Sequence, residues 1–347
     1  MQVFRGFRHP GVAPACVLTI GNFDGVHRGH QAMLALLDTE ARQRGLPSCV
    51  LTFEPHPRDY FAAISHRPEL APARIAPLRD KLTQLAACGV DQTIVLPFDA
   101  RLVSQTPDQF IDGTLVEGLG ARYVLVGDDF RFGAKRAGDY AMLDAAGHAR
   151  GFDVTRMNSY EVHGLRVSSS AVREALTEGR MGDMQALLGR PYSISGHVVH
   201  GRKLGRELGF STLNLRFSHW NPAASGIFAV LLHGLGAQPL TGVANLGVRP
   251  SLDPNDVNGG RVLLETHCLD WPAELGPEGG YGKIVRVELL HKLHGERKYQ
   301  GLDDLTAGIR RDCDEARALF ASGLGKLATA QPSSHAETHR QTTRDRI

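Results

Sequence analysis

Two histidines three residues apart follow a short apolar run near the start of the chain. His27 and His30 end the segment TIGNFDGVHRGH, residues 19–30. If a helix begins there, its N–H groups and dipole favour an anion, and two imidazoles can stabilise charge that develops on a phosphoryl group. Three glycines of the segment let a ligand approach the backbone: Gly21, Gly25 and Gly29. The segment predicts a phosphate site, and a solvated histidine pair beside an ordinary glycine turn is the alternative.

A second segment carries serines and an arginine. Ser168, Ser169 and Ser170 precede Arg173 at the predicted start of a helix. Serine hydroxyls cap helices and also donate to phosphate oxygens, and the arginine fork suits a leaving pyrophosphate. Capping alone explains such a serine run, but the run and the histidine pair together favour phosphate chemistry.

A basic, glycine-rich segment, GRKLGRELGFSTLN at residues 201–214, runs into a predicted strand. It is typical of a phosphate-binding loop, with a flexible hairpin turn as the alternative. Thr212 and Asn214 alternate onto one strand face, where both oxygens can meet one hard cation unless that face is only solvated. Glu265 lies in the otherwise apolar strand LLETH, and a carboxylate in such a place is either paired or catalytic.

These residues need elements that bring them together. In the first half, short apolar runs alternate with helical patterns, which favours a parallel sheet covered on both faces, with ligands beyond the carboxyl ends of its strands. The runs are residues 15–20, 48–53, 92–98, 123–127 and 152–157, and the helical patterns are 30–44, 77–88 and 107–117. The first helix is predicted to place five apolar residues on one face: Met33, Leu34, Leu36, Leu37 and Ala41.

The second half reads as six short strands followed by one helical pattern at 302–320, which predicts an all-β barrel or sandwich with a terminal helix. The strands are residues 192–199, 210–217, 226–233, 239–246, 261–269 and 283–290. We therefore expect an α/β domain over 1–187 and an all-β domain over 188–326. Residues 327–347 are polar and aperiodic, and they predict a disordered tail.

Composition excludes several classes of function. The 39 Lys and Arg against 37 Asp and Glu leave a formal net charge of +2, too small for a general footprint on nucleic acid or acidic membranes. No run approaches about 18 apolar residues, so no membrane span is expected. The 5 cysteines stand too far apart for a zinc knuckle or a tight disulfide framework. We expect a soluble, cytoplasmic protein, either a monomer or a weak homo-oligomer.

The motifs HxGH (27–30) and SSSxxR (168–173) resemble the paired signature of the nucleotidyltransferase superfamily, whose sheet is Rossmann-like. With GNFDGVHRGHQ (21–31), FEPHP (53–57) and VGDDFRFG (126–133), the first half resembles the FAD synthetase half of bacterial bifunctional riboflavin kinase/FAD synthetases. That family forms FAD and pyrophosphate from ATP and FMN. The resemblance implies that His27 and His30 contact the ATP phosphates, and that Phe53 and Pro55 bind flavin. It implies nucleotide or phosphate contacts for Gly21, Asn22, Phe23, Asp24, Gly25, Gly29, Asp129, Phe130, Ser169, Ser170 and Arg173.

The second half resembles the riboflavin kinase half of the same family, through GRKLGRELGFSTLN, GVANLGVRPS (242–251) and the stretch 281–312. The resemblance implies a six-stranded barrel in which Thr212 and Asn214 hold Mg²⁺ and Glu265 takes the proton of riboflavin's terminal hydroxyl. It places Gly201, Gly205 and Arg206 in the phosphate loop. Flavin contacts are implied for Phe210, Asn245, Arg249 and Glu296.

Four residues depart from the kinase pattern. Ser211 and Leu213 stand where the family usually has Pro and Ala, His294 replaces a usual Arg, and Gly308 a common Gln. These departures keep open a monofunctional FMN adenylyltransferase whose barrel binds flavin without kinase activity. The intact HxGH, SSSxxR and Glu265 argue against a non-enzymatic flavin sensor, since sensing needs no site for a leaving group. Another adenylyltransferase substrate leaves the barrel unexplained. The expected substrates and products are ATP, riboflavin, FMN and FAD, with Mg²⁺ as cofactor.

Overall fold

The computed structural model describes residues 1–158, 160–162, 165–200, 209–217, 221–249 and 261–325. The N-terminal domain holds one parallel sheet of six strands, in the spatial order β1-β4-β3-β2-β5-β6. Its strands are β1 (Gln2–Arg5), β2 (Cys16–Ile20), β3 (Ser48–Glu54), β4 (Gln92–Pro97), β5 (Ala121–Gly127) and β6 (Asp153–Met157). The inner strands are buried on both faces, which is why they read as continuous apolar runs in the sequence. A small hairpin follows, made of β7 (Glu161–Val162) and β8 (Leu165–Arg166).

Helices cover both faces of this sheet, since separate apolar clusters lie on its two sides. The helices are α1 (Arg28–Arg44), α2 (Pro57–Ile64), α3 (Leu78–Ala87), α4 (Ala100–Val103), α5 (Pro107–Phe110) with a π-helical turn over Ile111–Val116, α6 (Tyr140–Arg150), α7 (Ser169–Glu178) and α8 (Met181–Leu188). Helix α1 buries Leu34, Leu37 and Ala41. Leu36 was expected on the same face but is 51% exposed, because it lies on the solvent side of the helix.

The C-terminal domain is a closed antiparallel barrel of six strands, in the order β10-β13-β12-β11-β14-β9. Its strands are β9 (Tyr192–Val199), β10 (Thr212–Phe217), β11 (Gly226–His233), β12 (Leu240–Arg249), β13 (Arg261–Cys268) and β14 (Ile284–His294). Helix α9 (Leu302–Ala321) packs on the outside of the barrel through Cys313 and Ala316, which meet Val243. The predicted parallel sheet, six-stranded barrel and terminal helix are confirmed.

The two domains share a continuous apolar core. Residues of α7 and α8 pack with the barrel interior, and Ile75 of the N-terminal domain joins the same cluster. Tyr192 at the start of β9 donates its hydroxyl to Ile75 O at 2.8 Å. Arg74 N donates to Asn221 O at 2.6 Å, and Ala223 N donates back to Arg74 O at 3.1 Å. The segment that contains Arg74 and Ile75 is therefore shared between the two domains.

Candidate active sites

The turn between β2 and α1 carries strained backbone. Phe23 has a φ of +48° and Val26 a φ of +40°, although neither is glycine. Such conformations cost roughly 1–3 kcal/mol each and persist only where neighbouring groups hold them. Gly25 has a φ of +81°, and Ile75 lies so close that a Cβ on residue 25 would be 2.6 Å from Ile75 Cγ2. Glycine is needed at this position because φ is positive and because Ile75 leaves no room for a Cβ.

His27 and His30 lie together at the N-terminus of α1. Their rings stack with centroids 3.7 Å apart, and His27 Nδ1 accepts from His30 N. Burial lowers the pKa of His27 to about 4 and holds the pKa of His30 well below its usual value. Both rings are therefore neutral at neutral pH, and each has one N–H to donate. His30 Nδ1 is buried without a hydrogen-bond partner, which suits a site that receives a ligand.

The serine run of α7 meets this turn. Ser168 caps α7 by accepting from Ala171 N, and Ser169 Oγ donates to Asp24 O at 3.2 Å. Arg173 Nη2 pairs with the buried Asp24 carboxylate at 2.7 Å, and its Nε donates to Ala73 O at 2.6 Å. The two sequence motifs thus lie side by side, as expected, but Arg173 and Ser169 also hold the turn itself.

Asp24 serves as an anchor for the segment shared with the barrel. Its carboxylate accepts from Ile75 N and Ala76 N at 3.2 Å, in addition to Arg173. The resemblance placed Asp24 among the nucleotide contacts. Its side chain is almost fully buried and is hydrogen-bonded to this segment.

Two buried cations behind the turn, Arg74 and Lys81, were not predicted from the sequence. Arg74 lies among three carboxylates, 2.8 Å from Asp59, 3.5 Å from Glu54 and 3.9 Å from Asp24. Lys81 is fully buried, its Nζ lies 3.4 Å from Thr52 Oγ1, and burial lowers its pKa to about 8. The one sequence signal for these buried charges is the high density of charged residues after FEPHP.

The end of β3 carries an aromatic cluster. Phe53 contacts Phe98 edge-on at 5.7 Å, and Tyr60 and Phe61 of α2 contact the same Phe98 ring at 5.5 and 5.9 Å. Phe61 is 47% exposed. Phe53 and Pro55 were expected here from the sequence, but Tyr60, Phe61 and Phe98 were not, since aromatic residues in a short amphipathic helix and after a buried strand give no distinct signal.

The loop after β5 supplies the last predicted residues of this domain. β5 neighbours β2 in the sheet, so both strands end at the same edge as the histidine turn. Phe130 is half-buried and stacks on Phe132 at 5.4 Å, while Asp129 is exposed. Asp129 and Phe130 therefore lie at the sheet edge that also carries the histidine turn.

In the barrel, the sheet register aligns three polar residues. Glu265 of β13 lies opposite Asn214 of β10 on one side and Asn245 of β12 on the other. Residues directly opposite in an antiparallel pair share a face, and here it is the outer one, because the alternate positions fill the barrel core. The Oδ1 atoms of Asn214 and Asn245 are buried without hydrogen-bond partners. Two unpaired acceptors beside a carboxylate suit a ligand that brings cationic or donor groups.

Thr212 completes the polar face on β10. Asn214 Nδ2 lies 3.5 Å from Thr212 Oγ1 and donates to Thr212 O at 3.3 Å, which leaves the amide oxygen of Asn214 for another partner. Among the described residues no group of three or more His, Cys, Asp or Glu is arranged to hold a metal ion. Thr212 and Asn214 carry the oxygen donors that a hard cation prefers. Three predicted phosphate-loop residues lie outside the described part of the chain, as does the side chain of Arg249: Gly201, Gly205 and Arg206.

Glu296 and Phe210 flank this polar face. The Glu296 carboxylate lies over Gly247, where any Cβ would collide with it, and Asn245 Oδ1 lies beside the same spot. Phe210 is half-buried near α9 and meets His267 edge-on at 5.4 Å. Both predicted flavin residues thus adjoin the row formed by Asn214, Glu265 and Asn245.

The four departures from the kinase pattern fit the barrel without disturbing that row. Leu213 points into the barrel core, and Ser211 O lies 2.9 Å from His267 Nδ1. His294 Nε2 lies 2.8 Å from Asp312, so it retains a polar contact to α9. Gly308 makes room for Tyr299, whose ring would lie 2.5 Å from a Cβ at that position.

Comparison with known proteins covers nearly the whole chain. A family described as FAD synthetase matches residues 10–171, and one described as riboflavin kinase matches residues 188–320. The bifunctional riboflavin kinase/FMN adenylyltransferase of Escherichia coli K12 is 45% identical over 94% of this chain and 100% of its own length. The chain belongs to this bifunctional family. The enzyme of the same name from Haemophilus influenzae is 42% identical over 93% of this chain and 100% of its own length.

Both halves of the family are present, so the bifunctional prediction is confirmed over the monofunctional alternative. A solved structure described as a macrolide-efflux protein from Streptococcus pneumoniae is similar in fold, with a TM-score of 0.70, 24% identity and coverage of 91% of this chain and 98% of its own. No helix within the described residues is long and apolar enough to cross a membrane.

Proposed function

We propose that each activity of the family has its own site in this chain, with the residues assigned below. The activities are riboflavin kinase and FMN adenylyltransferase, a phosphotransferase and a nucleotidyltransferase that act on riboflavin, FMN and ATP. The observation that supports this proposal is that two polar sites lie on different domains, each with buried polar atoms that lack a hydrogen-bond partner: His30 Nδ1 in one, and the Oδ1 atoms of Asn214 and Asn245 in the other. A cytoplasmic location fits the use of ATP, and a monomer or weak homo-oligomer remains our expectation.

At the barrel site, Glu265 accepts the proton of riboflavin's terminal ribityl hydroxyl. The oxygen then attacks the γ-phosphorus of ATP in line, and ADP leaves. Asn245 and Glu296, beside Glu265, are placed to orient the flavin's polar groups. Thr212 and Asn214 would hold Mg²⁺, which neutralises charge on the phosphate oxygens.

At the N-terminal site, the phosphate of FMN attacks the α-phosphorus of ATP and pyrophosphate leaves. The nucleophile is supplied by the substrate, so the protein aligns the reactants and stabilises charge. His27 and His30 donate neutral N–H groups to the phosphates, and the N-termini of α1 and α7 face them. The ring system of FMN packs on the exposed face of Phe61 and its aromatic neighbours, Phe53, Tyr60 and Phe98.

Substitution of Glu265 tests the kinase assignment. Glu265→Gln keeps the size of the side chain but cannot accept the proton, so riboflavin phosphorylation should fall by roughly 10²–10⁴-fold. FAD formation from supplied FMN should stay at the wild-type rate. Glu274→Gln, an exposed change in the same domain, serves as the control and should alter neither reaction. Wild-type phosphorylation by folded Glu265→Gln would exclude Glu265 as the base.

A further inference from the structure

The strained turn in front of His27 is held from the segment that joins the two domains. Val26 has a φ of +40°, which a β-branched residue rarely adopts. The carbonyl groups of Gly25 and Val26 both accept hydrogen bonds from Arg190, which follows α8 and precedes the barrel. Arg190 therefore binds the turn at Gly25 and Val26, where the backbone conformation of the turn is unfavourable.

Arg190 and Gln31 form a closed arrangement of two donors and two acceptors. Arg190 Nη1 donates to Val26 O at 3.0 Å and to Leu188 O at 3.1 Å. Gln31 Nε2 donates to the same two carbonyls, at 2.9 and 2.7 Å. Because Leu188 ends α8 and Gln31 lies in α1, the arrangement joins the turn, α1 and α8 at one point.

The remaining contact of Arg190 makes its shape important. Its Nη2 donates to Gly25 O at 2.6 Å, so one planar guanidinium spans two successive carbonyls of the turn and the end of α8. Burial lowers its pKa to about 10, and it stays charged at neutral pH. A lysine ammonium lacks this planar fork and cannot span the same three oxygens in one fixed geometry.

We propose that Arg190 is a positioning residue for adenylyl transfer, which fixes the turn in front of His27 and ties its geometry to the barrel connection. This inference rests on the adenylyl site proposed above. Two residues later the chain enters β9, where Tyr192 binds Ile75 O, while Asp24 of the turn binds Ile75 N. The barrel connection thus reaches the turn twice, directly through Arg190 and indirectly through Ile75.

Loss of Arg190 should act on alignment more than on substrate binding. Without its hydrogen bonds, Val26 can relax towards an ordinary φ, and this moves the adjoining His27 ring. A displacement of about 1 Å at a reacting group costs on the order of 10²-fold in rate. Phosphate contacts from α7 do not depend on Arg190, so the KM for ATP should change much less than kcat.

The test compares Arg190→Met and Arg190→Lys with Arg42→Met, whose side chain is 73% exposed at the far end of α1. Steady-state FAD formation from FMN and ATP gives kcat and KM, riboflavin phosphorylation monitors the barrel, and hydrogen exchange monitors residues 22–31. We expect Arg190→Met to lower the kcat of FAD formation by about 10²-fold and to raise exchange in the turn. The kcat of Arg190→Lys should lie between those of Arg190→Met and the wild type. Arg42→Met should match the wild type in both kcat and exchange.

A wild-type kcat in folded Arg190→Met would overturn the proposal, as would a loss seen only in KM. If Arg190→Met fails to fold, Arg190→Lys decides: a wild-type kcat overturns the proposal, and a lower kcat with faster exchange in the turn supports it. The double variant His27→Ala/His30→Ala separates this inference from the site assignment. If that double variant still forms FAD, the site assignment is refuted. If the double variant loses FAD formation while Arg190→Met keeps a wild-type kcat, only the role of Arg190 is refuted.

Discussion

Acid should destabilise the N-terminal domain through two buried histidines. Burial lowers the pKa of His27 to about 4 and, together with the nearby Arg74 charge, lowers that of His56 to about 3. Between pH 6.5 and these values the unfolded chain binds protons that the folded chain does not. Stability is therefore complete above about pH 6.5 and is lost as the pH falls towards 4 and 3.

The magnitude follows from these values. For a histidine with an unfolded pKa of about 6.5, moving from about pH 7.5 to about pH 5 costs roughly 2 kcal/mol for His27 and a similar amount for His56. Together the two residues should account for about 4 kcal/mol, a large part of the stability of a typical domain. His30, whose pKa burial also holds well below its usual value, adds to this loss, and all three histidines lie in the N-terminal domain.

Substitution by asparagine isolates the two residues. Each histidine caps a helix, His27 at α1 and His56 at α2, and asparagine retains a capping oxygen without titrating. Urea unfolding at both pH values, followed by hydrogen exchange in β2 and β3, reports the N-terminal domain. Fluorescence reports the barrel, since both tryptophans, Trp220 and Trp271, lie in the second half of the sequence.

On acidification from about pH 7.5 to about pH 5, the free energy of unfolding of His27→Asn should fall by about 2 kcal/mol less than that of the wild type. His148→Gln, an exposed change on α6, should lose as much as the wild type. The reasoning is refuted if His27→Asn and the wild type show the same loss of unfolding free energy in the N-terminal domain.

Three further predictions concern single contacts. Asp24→Asn removes the buried charge that pairs with Arg173, and it should lower the free energy of unfolding by about 3–5 kcal/mol in urea titrations, with a smaller loss speaking against the anchor. Asn214→Ala should raise the KM for MgATP in riboflavin phosphorylation, measured by FMN formation, and an unchanged KM would remove Asn214 from the metal site. Phe61→Ser should raise the KM for FMN in FAD formation by about fivefold, as expected for the loss of an aromatic contact of about 1 kcal/mol, and leave the KM for riboflavin in phosphorylation unchanged. Equal shifts in both KM values would contradict a flavin site at Phe61.

Periodicity and local motifs predicted most of the fold. The apolar runs of β2 to β6 and the alternating strands of the barrel carry their own signal, because burial on one or two faces dictates the residue pattern. Strand β1 and helices α2, α4 and α6 were not predicted. β1 is a four-residue edge strand with mostly exposed side chains, so no run of buried residues marks it.

The site was only partly predictable, because its partners lie far apart in the chain. Residue chemistry predicted a phosphate contact for Arg173, and the family resemblance implied one for Asp24, but only the fold pairs these two residues with each other across 149 positions. Arg190 lies 165 positions from Gly25, and no local pattern distinguishes it from an ordinary arginine before a proline. Cross-strand register likewise places Asn245 beside Glu265, a contact that the sequence spacing does not reveal.

A mixing experiment tests the central claim most directly, namely that two independent sites divide the two reactions. Glu265→Ala and the double variant His27→Ala/His30→Ala are each incubated with riboflavin and MgATP, alone and together, and the flavins are separated by chromatography. We expect no FMN or FAD from Glu265→Ala, FMN alone from the double variant, and FAD from the mixture. FMN formed by Glu265→Ala, FAD formed by the double variant, or a mixture that yields no FAD would contradict the division.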